Sequence, residues 1–191
     1  AAFRLMNSVD RDRLSRRQLA CLDKDRIFCN IYLGNNGVAK RMLEDENLEP
    51  AFRHFALHII ADAACNRAGS QAELESALAE KSDKTDPFIT VQLWHNRAIS
   101  YVVNGQFKVA DDEFKKTYRE AKRLGVRNKS FLLLLFENAA LNKTKIGLPD
   151  GGVEEGWGLI EECEKALVPI GPNDFGQLFN MRLLFMRQIG A

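Results

Sequence analysis

The chain has little of what most catalytic, secreted or nucleic-acid-binding proteins carry in excess. Neither sign of charge dominates: 27 Lys plus Arg face 26 Asp plus Glu among 191 residues. That balance argues against wholesale binding of a nucleic-acid backbone, which needs a concentrated basic surface. The most basic stretch holds Arg11, Arg13, Arg16 and Arg17, but Asp10, Asp12, Asp23 and Asp25 are interspersed. It reads as a solvated helix face in preference to a phosphate-binding one. The four cysteines (Cys21, Cys29, Cys65, Cys163) lie far apart with no CxxC pair. They read as small buried hydrophobes of a reducing compartment, not as a disulfide framework. The longest apolar run, "FLLLLF" at 131–136, falls far short of the roughly 20 residues a membrane span requires. The first residues carry no signal-peptide pattern, because Arg4 and the charges from Asp10 interrupt any apolar stretch. A cytoplasmic location without membrane contact is expected. Strand-like alternation is nearly absent, so the class is all-α.

What is present is apolar residues at helical spacing, divided by breakers. "LGNNG" (33–37), "RAGS" (67–70), "NGQ" (104–106), "LGVRN" (124–128), "IGLPDGG" (146–152) and "PIGPND" (169–174) separate helical stretches. Asp86 and Pro87 in "KTDP" have the chemistry of an N-cap and a first helical residue. The glycines Gly34, Gly69 and Gly105 recur at intervals of 35 and 36 residues. Five residues after each stands Ala39, Leu74 or Ala110, and nine after each stands Leu43, Leu78 or Phe114. Helix, turn and helix at this period is the signature of a helical-hairpin array. A fourth unit fits with Gly151 in the turn position, followed by Gly156 and Ile160.

Trp94, Ala98, Tyr101, Gly105, Phe107, Ala110 and Phe114 match the tetratricopeptide repeat (TPR) pattern almost position by position. The chain resembles that family over about residues 20–168, with its clearest copy at about 91–124. Arg97 departs from the pattern where leucine is favoured, and Thr117 where alanine is favoured. Asp23 and His58 stand where Trp94 does. The resemblance implies antiparallel hairpins stacked as a right-handed solenoid, in approximate units 20–54, 55–90, 91–127 and 128–168 with a terminal helix at 174–190.

Three constellations invite a chemical reading. His54, His58 and Asp62 are spaced to share one helix face, as metal ligands would. "HFALH" nevertheless lacks the glutamate of HExxH, and a structural role is the preferred reading, with no metal or cofactor expected. Asp111, Asp112 and Glu113 point in successive directions around a helix whose inward face is Phe107, Ala110 and Phe114, so these acids should be mostly solvated. No local pattern pairs Cys21 or Cys163 with His95 as a nucleophile, and GxSxG, P-loop and GxGxxG motifs are absent. An enzyme is not expected.

In TPR proteins the first helix of each hairpin lines a concave groove. Carried over, the resemblance implies Gln92, His95, Asn96 and Ile99 in the clearest repeat. It implies Ile59, Ala63, Asn66 and Arg67 in the unit before, and Lys24, Phe28, Ile31 and Tyr32 in the first. Carboxylate-clamping TPRs use lysines, arginines and asparagines here. Asn96 and Arg67 fit that pattern, but Ile59, Ile99 and Phe28 dominate and suit an amphipathic helix or extended peptide. For Phe28 and Ile59 the alternative is packing against a neighbouring helix of the same chain. The last helix is apolar around most of its circumference, where an array needs a polar outer face. Phe179, Leu183 and Met186 there suggest either a longer natural chain or contact with a second copy. The abrupt start at "AAFRLM" likewise suggests a fragment of a larger protein. TPR-like segments often accompany DNA-binding, receiver or nucleotidase domains in bacterial signalling proteins. A protein-interaction or regulatory segment is therefore expected, with a ligand- or peptide-sensing domain that changes shape or oligomeric state as the alternative.

Overall fold

Ser15, Asn66, Asp86 and Asn128 each accept a hydrogen bond from a first-turn amide, and each starts a helix. Pro50 and Pro87 occupy first helical positions, where a missing N–H costs nothing. The computed structural model describes residues 6, 8–44, 48–147, 151–168 and 171–190, apart from the side chains of residues 16, 17, 172 and 173. Among the described residues it is all-helical. A 3-10 turn at Arg11–Arg13 precedes α1 (Arg16–Tyr32), α2 (Asn36–Leu43), α3 (Pro50–Ala63) and α4 (Arg67–Glu80). These belong to one compact unit, Ala1–Thr85. The second unit, Asp86–Ala191, holds α5 (Pro87–Val103), α6 (Phe107–Arg123), α7 (Lys129–Ile146), α8 (Gly152–Ala166) and α9 (Pro172–Ile189).

Three hairpins turn in the same way. After α1, the Gly34 amide donates to the Ile31 carbonyl and the Asn35 amide to the Asn30 carbonyl. After α3, Cys65 and Asn66 repeat the pattern onto Asp62 and Ala61; after α5, Gly105 and Gln106 repeat it onto Val102 and Tyr101. This paired closure requires a left-handed residue, and Gly34, Cys65 and Gly105 have φ of 76°, 56° and 73°. The glycine register therefore needs one correction. Gly69 lies inside the first turn of α4, and the second turn falls four residues earlier, at Cys65. Counted from Cys65, Ser70 and Leu74 take the buried places that Ala39 and Leu43 take after Gly34, and Ala110 and Phe114 after Gly105. Gly156 and Ile160 are buried at the same offsets from Gly151, itself left-handed at φ 71°.

In the first unit, α3 and α4 form the central hairpin, and Phe52, Phe55, Ala56, Leu74 and Ala77 fill it. In the second, Val91, Ala98, Ala110, Phe114 and Ala121 join α5 to α6, and Phe131 and Leu135 bring in α7. A second cluster joins α7, α8 and α9 through Leu133, Phe136, Ile160, Leu178, Met181 and Phe185. The helices approach closely at Gly156, where a Cβ would stand 2.5 Å from the Phe185 ring and 3.2 Å from the Ala140 carbonyl oxygen.

Cys65 is exposed and left-handed, so Cys65→Gly is expected to stabilise the chain by about 0.5–1 kcal/mol, whereas Gly105→Ala should destabilise it by about 1 kcal/mol. Denaturant titration of the two variants measures both shifts. Destabilisation by both would contradict the left-handed closure at position 65.

Candidate functional site

In the first unit the residues carried over from the TPR pattern are largely engaged by α3. The Phe28 ring meets Phe52 and Phe55 edge-on, at 5.4 and 6.0 Å between centroids. Lys24 reaches Glu49 at 3.5 Å and lies over the Phe52 ring. Ile31 is buried and Ile59 half-buried, while Tyr32, beyond the packed face, is 77% exposed. Asn66 and Arg67 do not lie on the first helix of their hairpin. The turn at Cys65 makes Asn66 the N-cap of α4, accepting from the Gly69 amide, and Arg67 its first residue. Ala63 is the last residue of α3 and is exposed.

The histidine pair in α3 diverges. His58 is buried, with Nδ1 2.9 Å from both the carbonyl and hydroxyl oxygens of Ser70, whereas His54 Nδ1 meets Glu73 at 2.7 Å. Asp62 is exposed. The basic N-terminal stretch is internally neutralised where described: Arg11 forks onto Asp23 at 2.7 and 3.0 Å, and Arg13 pairs with Asp10. Arg16 and Arg17 stand in the first turn of α1, with side chains outside the described residues.

In the second unit, Gln92, Asn96 and Ile99 are half-buried on α5, but His95 is not a groove residue. It is 5% exposed, its ring sits 5.6 Å from Phe131 and 6.0 Å from Phe114, and Nε2 lies 3.1 Å from the Asn138 amide nitrogen. Nε2 is thus the acceptor, and burial drives the ring's pKa down to about 4. The departures from the TPR pattern have partners. Arg97 pairs with Glu113 at 2.6 Å and lies over Trp94; Thr117 is fully buried and donates to the Glu113 carbonyl.

The acidic triplet also differs from expectation. Asp112 is exposed, but Asp111 is buried and Glu113 half-buried. The reason is that α6 is covered on two sides, by α5 and by α7. Asp111 receives Lys143 from α7 at 2.7 Å and Lys115 at 2.8 Å, and Lys143, itself 4% exposed, also holds Glu155 of α8. Cys163 is buried, and burial with the neighbouring Glu164 and Glu162 pushes its thiol up to about 12, favouring the neutral thiol.

Three surface features remain. On α9, Phe175, Phe179, Leu183 and Met186 follow helical spacing and are 66, 55, 45 and 39% exposed, while Leu178, Met181 and Phe185 face inward. A cavity of about 380 Å³ between α6, α7 and α8 has Phe114, Leu135, Phe136 and Leu159 as its floor, with Tyr118 and Arg119 among its walls. A more open cleft of about 430 Å³ runs between α7 and α9, lined by Leu134, Glu137, Asn180 and Leu184. Sequence reasoning missed this cleft. The α7 groove positions are counted back from the hairpin turn at Gly151, and the longer 146–152 loop between them breaks that register; "FLLLLF" gave no hint that Leu134 alone of its leucines is exposed. Among the described residues no helix is long and apolar enough to cross a membrane. No protein-family model, curated protein or solved structure matches the chain.

With His95 near 4 when folded and about 6.5 when unfolded, both states are neutral above pH 7. Between those values only the unfolded chain gains the proton, so stability falls with falling pH, by about 1.4 kcal/mol per pH unit and about 3 kcal/mol in all. Urea titrations from pH 7.5 to 4 should show that slope shrink in His95→Gln, a variant that keeps an acceptor for Asn138. An unchanged slope would place the proton uptake elsewhere.

Proposed function

We propose that the chain is a TPR-like right-handed solenoid of helical hairpins that serves as a protein-interaction or regulatory segment, of the kind found in bacterial signalling and transcriptional regulators. What supports the hairpin reading is the repeated left-handed closure with small buried residues five positions on: Ala39, Ser70, Ala110 and Gly156. The single observation that carries the functional reading is the apolar stripe of α9, because contiguous exposed apolar surface marks interaction sites. The partner is another polypeptide, and a second copy of the chain is the occupant proposed for this stripe. Antiparallel apposition of two such helices is favoured by their opposed helix dipoles. The reading involves no cofactor, no catalysis and a cytoplasmic setting.

Light scattering over a concentration series tests it, on the chain and on a variant with Phe179, Leu183 and Met186 changed to serine. A dimer that the changes convert into a folded monomer is the expected result. A wild-type chain that stays monomeric would remove self-association and leave the stripe to a different polypeptide.

The cavity between α6, α7 and α8 favours a second reading, in which a small ligand is sensed. Its mostly apolar floor and its volume of about 380 Å³ lie within the range of ligand pockets. This reading expects a ligand that changes oligomeric state or hydrodynamic radius. Thermal-shift screening of small amphipathic carboxylates, followed by scattering with and without a hit, checks it.

A further inference from the structure

Charge in the second unit is mostly matched. Glu113 has Arg97, Glu164 has Arg182, Asp174 has Lys129 and buried Asp111 has two lysines. Glu137 breaks this pattern. It projects from α7 into the cleft against α9, is half-buried, and has no hydrogen-bond or ion-pair partner among the described residues. Desolvation holds its pKa above the usual carboxylate range. A carboxylate withdrawn from water without a compensating cation is costly to the folded chain, and such groups concentrate at binding sites.

The rest of the cleft is uncharged, with Ser130, Gln177 and Asn180 set among apolar side chains. Leu133 and Met181 form its buried floor, and Leu134 and Leu184, 46 and 39% exposed, form its two lips. Asn180 contributes an amide, and the described lining residues include no cation. The fitting ligand group joins a positive charge to an apolar stem. Lysine and arginine side chains have that form, with methylene stems that lie along apolar surface while the charged head is hydrogen-bonded. A volume of about 430 Å³ accommodates such a side chain together with an apolar neighbour one helical turn away.

We propose that the cleft between α7 and α9 is a docking site for a basic, amphipathic peptide of a partner protein, one lysine or arginine of which pairs with Glu137 while an adjoining apolar residue rests on Leu134 and Leu184. The proposal rests on the reading of the chain as an interaction module and names the chemistry of its partner. It is the opposite of a carboxylate clamp: the receptor supplies the anion.

The test is selection from a random peptide library displayed on phage, against the full chain and against Glu137→Gln, with circular dichroism confirming that the variant folds. The wild-type chain should enrich peptides with a lysine or arginine beside an aliphatic or aromatic residue, and Glu137→Gln should lose the basic preference. An enriched peptide should weaken about five-fold or more when glutamine replaces its basic residue, and that difference should vanish on Glu137→Gln. Enrichment without a basic preference, or a preference that persists in Glu137→Gln, overturns the cleft assignment and leaves the peptide-binding reading standing. Failure to enrich any peptide overturns the docking proposal, and the scattering experiment decides self-association through α9 independently.

Discussion

The close approach of paired helices just beyond a left-handed turn is the constraint on which the rest of the structure depends. At Gly34, Cys65 and Gly105 the turn reverses the chain within three residues, so the first turn of the second helix must cross the first helix at short range. Only a small side chain fits there, and Ala39, Ser70, Ala110 and Gly156 occupy that place in the four hairpins. One turn later the helices have separated enough for Leu43, Leu74, Phe114 and Ile160, which fill the widening gap. The alternation of small and large positions lets the two helices of each hairpin pack closely near the turn and diverge beyond it.

In the second unit, successive hairpins are joined by polar contacts set into apolar packing. Lys143 brings Asp111 of α6 and Glu155 of α8 to one point on α7, and His95 meets Asn138 between two phenylalanine rings. Asn142, 1% exposed, donates to the Phe107 carbonyl at the start of α6. Buried groups of this kind tolerate few alternative arrangements, since each partner removed leaves another unpaired. They fix the register of one hairpin on the next more strictly than interchangeable aliphatic contacts do. Two of the three histidines are held by buried polar contacts, His58 with Ser70 inside its own hairpin of the first unit and His95 with Asn138.

The surface of the second unit divides by character. The flank of α9 away from its neighbours is plainly apolar, whereas the cleft between α7 and α9 combines leucines with a carboxylate that has no partner among the described residues. An apolar stripe is non-directional and suits a like surface; a lone half-buried charge is selective, because a partner of the wrong sign or none leaves it uncompensated. On the proposed reading, assembly and partner choice have separate physical bases, the outer flank of α9 for the first and the α7–α9 cleft with Glu137 for the second.

The amino-acid sequence by itself determined the helical class, most turns, the N-cap at Asp86 and the inward faces of the helices, because these follow from spacing and short-range backbone chemistry. It also placed Phe179, Leu183 and Met186 on an apolar surface. It misplaced one turn: glycine at 69 is the residue expected to go left-handed, yet Cys65 does so because the closing bonds to Ala61 and Asp62 and the burial of Ser70 and Leu74 outweigh its strain. The placement of Asn66 and Arg67 shifted with it. The fates of His95, Asp111 and Glu137 were decided only by tertiary structure. Each depends on which helix covers its flank, and whether a side chain there ends buried, paired or alone is set by residues more than 30 positions away along the chain in the cases of His95–Asn138 and Asp111–Lys143.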